Sequence, residues 1–205
     1  MISMGRDYEK GQPGAQRLVL ASSSPRRADL LRLVVDEFEV RPPGVEEEQT
    51  SSPPDLLAVA RRKAAAVQGD PDCLIIGADT GVFVGGRHFG KPSDRAEAER
   101  TLRVLSGGWH DVFTGLAVVG PGGAREALVE TRVRFKMLSR EEIDWYLSRE
   151  SVFDKAGAYA IQGRAAAFVE RLEGDYFNVV GLPVATVYRF LLELGWRPRP
   201  GGRCE

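Results

Sequence analysis

An α/β fold built around one mixed sheet with flanking helices is what the sequence predicts, and two observations lead there. Short apolar runs alternate with helix-period segments in the first half, as strands joined by helical crossovers do. Two pairs of strand-like runs then flank glycine-rich turns, as hairpins do. Bulk composition agrees with a globular domain. Of 205 residues, 43% are hydrophobic and 28% charged, enough apolar surface for a proper core.

In order along the chain, Arg17–Ala21 reads as the first strand and Pro25–Val34 as a helix with Leu30, Leu31 and Leu33 on its stripe. Pro25 suits the first helical turn, where its missing N–H is no loss, and Ser24 stands at the N-cap position. Phe38–Arg41 is a short extended piece that stops at Pro42 and Pro43, before an acidic loop, Glu46-Glu47-Glu48. Pro53–Val67 is a helix whose stripe is Leu56, Leu57, Val59, Ala60 and Ala64. Cys73–Ile76 is a buried strand expected to end in Gly77-Ala78-Asp79-Thr80. Val82–Val84 and Arg87–Phe89 flank the hairpin dipeptide Gly85-Gly86. Ser93–Leu105 is a helix, with Ser93 as its cap and Asp94 and Glu97 near its positive end. Asp111–Val119 and Ala124–Phe135 are long strands joined across Gly120-Pro121-Gly122-Gly123. Ser139-Arg140-Glu141-Glu142 is a capping box that starts the helix 139–147. Ala166–Arg171 reads as a further strand, and Pro183–Leu194 as the last helix, stopped by Gly195.

Residues 1–16 are polar and Gly-containing, without the apolar core of a signal peptide, and are expected to be a disordered lead-in. Residues 17–195 are expected to form a single domain, and 196–205 a flexible Pro/Gly-rich tail. No apolar run approaches membrane-spanning length, so the expected setting is the cytoplasm. A formal net charge of −1 gives no support to general nucleic-acid binding. Cys73 opens an apolar run and Cys204 lies in a polar tail, a pairing that suggests neither a disulfide framework nor a zinc site. His88 and His110 have no partners at zinc spacing. Walker A, Gly-x-Gly-x-x-Gly and Gly-x-Ser-x-Gly patterns are all absent.

Four segments carry candidate chemistry. In Ala21-Ser22-Ser23-Ser24-Pro25-Arg26-Arg27, helix N–H groups, serine hydroxyls and two guanidinium forks could converge on a phosphate chain. The same residues also fit a plain capped helix with two solvated arginines. Asp79 could bind a divalent cation or act as a general base; taken alone, an aspartate at a strand end is more simply a turn residue satisfying nearby backbone N–H groups. Lys91, in Gly90-Lys91-Pro92, and Lys63 are phosphate ligands beside a metal site and solvated lysines otherwise. One glutamate of the 46–48 run could be a second carboxylate for a metal, or the run is a solvated loop. Within 154–163, small residues allow close backbone approach, and the Gln162 amide, both donor and acceptor, suits a base edge.

Taken together, these residues resemble the Maf family of nucleoside triphosphate pyrophosphatases. The matching segments are 21–27, Gly77-Ala78-Asp79-Thr80, Gly90-Lys91-Pro92, Leu105-Ser106-Gly107, Phe113-Thr114-Gly115, 154–163 and 178–183, in the family's order across roughly residues 17–195. The resemblance implies a single catalytic domain of elongated, two-lobed fold with a central cleft, akin to inosine triphosphatases, and a homodimer. It implies metal-dependent cleavage between the α and β phosphates, with magnesium, manganese or cobalt as the cation. By resemblance Asp79 is the proton acceptor, and Arg26, Thr80 and Gln162 are specificity positions. A triphosphate tail would then lie over Ser22–Arg27, Ser22 and Ser24 included, with Arg26, Arg27, Lys63 and Lys91 neutralising it, and by the family pattern Glu47 joins Asp79 at the metal. Pro25-Arg26-Arg27, Ala78-Asp79-Thr80 and Ile161-Gln162-Gly163 match the branch that prefers dTTP and UTP over 7-methyl-GTP. Arg164-Ala165-Ala166-Ala167 and Gly90 depart from the family's usual residues, at the loop near the base and beside the lysine. Two other readings fit the same sequence: a non-catalytic regulator of cell division that senses nucleotide or nucleic acid, and a pyrophosphatase for damaged purine triphosphates.

Overall fold

A computed structural model describes residues 16–45, 50–67 and 72–198. Among them the elements run β1 (Leu18–Ala21), α1 (Pro25–Leu31), β2 (Glu39–Val40), α2 (Pro53–Ala66), β3 (Leu74–Val84), β4 (Arg87–Phe89), α3 (Arg95–Leu105), β5 (Trp109–Gly120), β6 (Gly123–Phe135), α4 (Arg140–Leu147), β7 (Val169–Glu173), α5 (Tyr176–Val180) and α6 (Val184–Glu193). The strands form one mixed sheet in the order β2-β1-β3-β5-β6-β7, with β4 also paired to β3. The helical crossovers make β1 parallel to both β2 and β3, and the hairpins make every other pair antiparallel.

The sheet's two faces follow from the period-2 alternation of its strands. Leu18 and Leu20 of β1 join the main core with Leu31, Leu102, Ile143 and Leu191 from four helices. Val19 and Ala21 point the other way, into a smaller cluster with Val67 and Cys73. Burying a side chain of this size contributes on the order of 2 kcal/mol. Helix α2 lies on the second face across β3 and β5, held at its start by the Asp55 carboxylate, which accepts from the N–H groups of Ser51 and Ser52 at 2.9 and 2.8 Å. Those bonds hold the Asp55 pKa down at about 2.

The decisive packing contact lies under α2. A Cβ on Gly77 would stand 2.2 Å from the Ala60 carbonyl oxygen, and one on Gly115 would stand 2.3 Å from that of Leu56. Only glycine lets the helix backbone sit this close to the sheet.

Several elements differ from the sequence expectation. The strand expected over 73–76 does not stop at Gly77-Ala78-Asp79-Thr80 but runs through it to Val84, because β5 pairs it continuously from Ile75 to Phe83. Glycines that looked like a turn are close-approach positions inside a strand. Helix α1 ends at Leu31 instead of Val34, and the chain continues in tighter turns, Leu33 N–H to Leu30 and Val34 N–H to Leu31. The cap of α3 is Asp94, whose carboxylate accepts from Glu97 N–H at 2.7 Å, while Ser93 donates to the Glu97 side chain. The strand expected at 166–171 begins only at Val169, because the alanine-rich segment Arg164–Phe168 winds into a 3-10 turn. The short helix α5, capped by Asp175, was not anticipated. Residues 1–15, most of the expected lead-in, lie outside the described residues, as does Cys204.

His110 is buried between Phe135 and Tyr159, with Nε2 2.8 Å from the tyrosine hydroxyl. Burial pushes its pKa down to about 4, so it is a neutral core residue.

Replacing Gly115 with Ala forces α2 off the sheet. We expect a loss of about 2–3 kcal/mol in urea unfolding at unchanged m-value. An unaltered midpoint would mean that the helix does not need its close seat.

Candidate active site

Strand β1 ends at Ala21, opposite Gly77, and β4 joins β3 only at Val82. Between these points the edge of β3, residues 78–81, carries no strand on that side among the described residues. A cavity of about 840 Å³ opens over this bare edge. Its wall includes Ser22, Ser24, Arg26, Arg27, Lys63, Asp79, Thr80, Lys91 and Gln162. Every candidate site residue that the structure describes is therefore at one place. Glu47, the remaining candidate, lies outside the described residues, as do Glu46 and Glu48.

The expectation that ligand groups gather at a strand end has a different basis here. Asp79 is in mid-strand, but it stands just past the end of the parallel neighbour β1. The opening is thus still at a carboxyl end within the parallel part of the sheet.

Register explains why the motifs cooperate. Asp79 is directly opposite Gly115, and Thr80 is opposite Thr114, so Gly77–Thr80 and Phe113–Gly115 form one patch of sheet. Directly opposed residues share a face. Asp79 therefore points, with Gly77 and Gly115, toward α2. The close seat of α2 brings Lys63 Nζ to 2.6 Å from Asp79 Oδ1. Their side chains are only 12% and 21% exposed, so the pair interacts at reduced dielectric.

Thr80 faces the other way, into a buried polar network. Arg27 donates from Nε to the Gly181 carbonyl at 2.8 Å, from Nη2 to Thr80 Oγ1 at 3.1 Å and from Nη1 to Ser22 Oγ at 3.3 Å. Thr80 Oγ1 lies 2.9 Å from Thr114 Oγ1, and Thr114 donates to the Asn178 carbonyl. Asn178 Nδ2 reaches the Val112 and Val129 carbonyls and Thr131 Oγ1. This chain of bonds ties α1, β3, β5, β6 and α5 together. It fixes a guanidinium charge in the cavity wall. The Ser24 hydroxyl makes no cap bond, contrary to expectation. Ser22 Oγ instead accepts from Ser24 N–H at 3.1 Å and so shapes the turn into α1.

Arg26 departs from its neighbour. It donates from Nη1 to Asp154 Oδ2 at 2.9 Å and from Nη2 to the Asp154 carbonyl at 3.4 Å. Gln162 lies exposed farther along the same loop. That loop is tied to the segment before Lys91 by Gly157 N–H donating to the Gly90 carbonyl at 3.1 Å. Lys91 itself is exposed.

Sequence reasoning passed over Asp154, Lys155, His88 and Tyr159, which also line the cavity. Asp154 and Lys155 open the segment 154–163, so position in the motif was their only signal. His88 was set aside for want of zinc spacing. Its ring fits because Gly81 has no side chain: a Cβ there would lie 3.0 Å from Nε2. Burial lowers the His88 pKa, against the upward pull of the Thr50 carbonyl and of Asp79. Not every matching segment lies at the cavity. In Leu105-Ser106-Gly107, Ser106 Oγ accepts from Leu138 N–H at 2.7 Å, a frame contact.

No three metal-binding side chains come together among the described residues. Asp79 offers one hard oxygen ligand in the cavity wall, which fits a cation that completes its shell with phosphate oxygens and water, as magnesium does.

The Maf-like protein family model matches residues 17–194. The dTTP/UTP pyrophosphatase of Symbiobacterium thermophilum is 49% identical over 191 residues, spanning 91% of this chain and 98% of that one. The protein of the same name from Thermotoga maritima is 45% identical over 184 residues, 88% of this chain and 90% of that one. The one from Pyrococcus abyssi is 44% identical over 186 residues, 89% and 98% respectively. Among solved structures, a HAM1 protein from Coxiella burnetii overlays with a TM-score of 0.48 at 15% identity, covering 87% of this chain and 99% of that one.

The two neighbouring arginines should respond differently to the same substitution. Arg27→Lys strands buried acceptors and is expected to cost about 2–3 kcal/mol in denaturant unfolding. Arg26→Lys, at an exposed pair, should cost less than about 1 kcal/mol. Equal losses would remove Arg27 from its structural role.

Proposed function

Because the chain belongs to the Maf-like family, we propose that it is a nucleoside triphosphate pyrophosphatase that hydrolyses dTTP and UTP, and modified pyrimidine triphosphates, to the monophosphate and pyrophosphate. The observation that carries this reading is the convergence of the Lys63–Asp79 pair, the fixed Arg27 charge and the Gln162 amide on one cavity of nucleotide size. The names of relatives 44–49% identical to this chain support the same reaction and the same substrates.

In this reading the triphosphate tail lies along Ser22–Arg27, with Arg27, Lys63 and Lys91 balancing its charge. Asp79 orients a water at the α-phosphorus and takes its proton. The new P–O bond forms as the bond to the bridging oxygen breaks, and that oxygen leaves with pyrophosphate. Asp79, joined by Glu47, would hold a divalent cation, magnesium, manganese or cobalt, which supplies neutralisation of the phosphate oxygens when bound. Most of the rate gain comes from positioning and from charges fixed beforehand. By the family resemblance, Thr80, Arg26 and Gln162 are the specificity positions, and all three line the cavity. A neutral amide suits the imide of uracil or thymine, which presents both a donor and an acceptor.

The working protein is a cytoplasmic homodimer in this proposal, with residues 17–195 as its catalytic domain. The family resemblance supports the dimer. No described helix is long and apolar enough to cross a membrane.

A panel of triphosphates with magnesium, read by pyrophosphate release, tests the reading. Release should be fastest from dTTP and UTP. Asp79→Asn should lower it by about a thousandfold while nucleotide binding by calorimetry largely survives. Near-parent turnover by that variant would sink the mechanism. Release chiefly from inosine or xanthosine triphosphate would favour a purine-cleansing enzyme. Tight nucleic-acid binding without any release would favour a regulator.

A further inference from the structure

Arg26 and Asp154 lie 128 residues apart in the chain and meet at the cavity wall. Arg26 belongs to the first turn of α1, whereas Asp154 heads the loop that leads to Gln162. Both carboxylate oxygens of Asp154 are engaged: Oδ2 takes Arg26 Nη1 at 2.9 Å, and Oδ1 takes Lys155 Nζ at 2.6 Å. Lys155 is anchored in turn on the Ser151 carbonyl at 2.5 Å and is only 14% exposed. Asp154 is thus clamped from behind while it grips Arg26 in front. Burial alone would raise its pKa, but the bonds from Lys155 and Arg26 outweigh that and keep the carboxyl below its ordinary value.

This arrangement changes what Arg26 can do. The Asp154 carboxylate and carbonyl hold the Arg26 guanidinium in one orientation and answer part of its charge. The guanidinium still has five N–H donors in a rigid fork. Two point at Asp154, and among the described residues the others have no protein acceptor. Such a fixed donor suits a neutral carbonyl oxygen and repels an exocyclic amino group. Uracil and thymine carry a carbonyl at the 4-position, where cytosine carries an amino group.

We propose that Asp154 is a positioning residue for base selection: clamped by Lys155, it holds the Arg26 fork against an exocyclic carbonyl of the pyrimidine. The inference rests on the reading of the cavity as a pyrimidine nucleotide site. Arg26 then reads the base, and Asp154, without touching substrate, sets the angle at which it does so.

Calorimetric binding of α,β-imido analogues of UTP and CTP, with pyrophosphate release from UTP and CTP beside it, tests this on the whole protein. Asp154→Asn should weaken the UTP analogue and cut the UTP-over-CTP ratio about tenfold, with the loss in turnover appearing in KM more than in kcat. Arg26→Ala should shrink the same ratio. Adding Asp154→Asn to Arg26→Ala should then change nothing further, because Asp154 acts through Arg26. An unchanged ratio in Asp154→Asn, or losses that add in the double variant, would overturn the proposal. A purely structural role would lower both nucleotides alike. Lys155→Met provides a second route, since it frees the clamp without removing the carboxylate; it should shift the ratio in the same direction, and no shift would count against the proposal. Selective binding without pyrophosphate release would instead indict the catalytic reading and leave the base-selection result standing.

Discussion

The structure depends on how closely α2 approaches the sheet. Gly77 and Gly115 have no side chains where the Ala60 and Leu56 carbonyls arrive, and any larger residue would hold the helix off. That seat is what places Lys63 against Asp79 at 2.6 Å. A half-buried carboxylate without such a partner would be costly. The glycines of two separate motifs are therefore not loop residues. They set the distance on which the candidate catalytic pair depends.

A second constraint works on the opposite face of β3. Strand alternation sends Asp79 to α2 and Thr80 to the other side, where Arg27 binds it. Arg27 also takes the Gly181 carbonyl, so α1 and the turn after α5 are fixed to the same strand. Two adjacent arginines consequently have different environments. Arg27 is buried among carbonyl and hydroxyl acceptors, whereas Arg26 is partly exposed and answered by Asp154. The cavity is thus walled on one side by a carboxylate–lysine pair and on the other by a locked guanidinium, with the Arg26–Asp154 contact between α1 and the loop of Gln162.

Much of this was legible in the sequence. Periodicity located most helices and both hairpins, and the order of seven short segments pointed to one family and one site. What the sequence could not display was register. Nothing in the linear order says that Asp79 sits opposite Gly115 or Thr80 opposite Thr114, since pairing is set by tertiary packing. Glycine in an apolar run is ambiguous between a turn and a close approach, and the turn reading cut β3 short. Ser24 had the right type and place for a cap, but its hydroxyl makes no cap bond, and its own N–H donates to Ser22 Oγ two residues back. Asp154 was hidden for another reason: its role exists only through Arg26, a residue far away in the chain.

A crystal structure with magnesium and the α,β-imido analogue of dTTP is the most direct test of the account. It should show the α-phosphate beside Asp79 and Lys63, the tail along Ser22–Arg27, and the thymine near Arg26 and Gln162. A nucleotide bound the other way round, with its base beside Asp79, or one bound outside the cavity over residues 78–81, would contradict it.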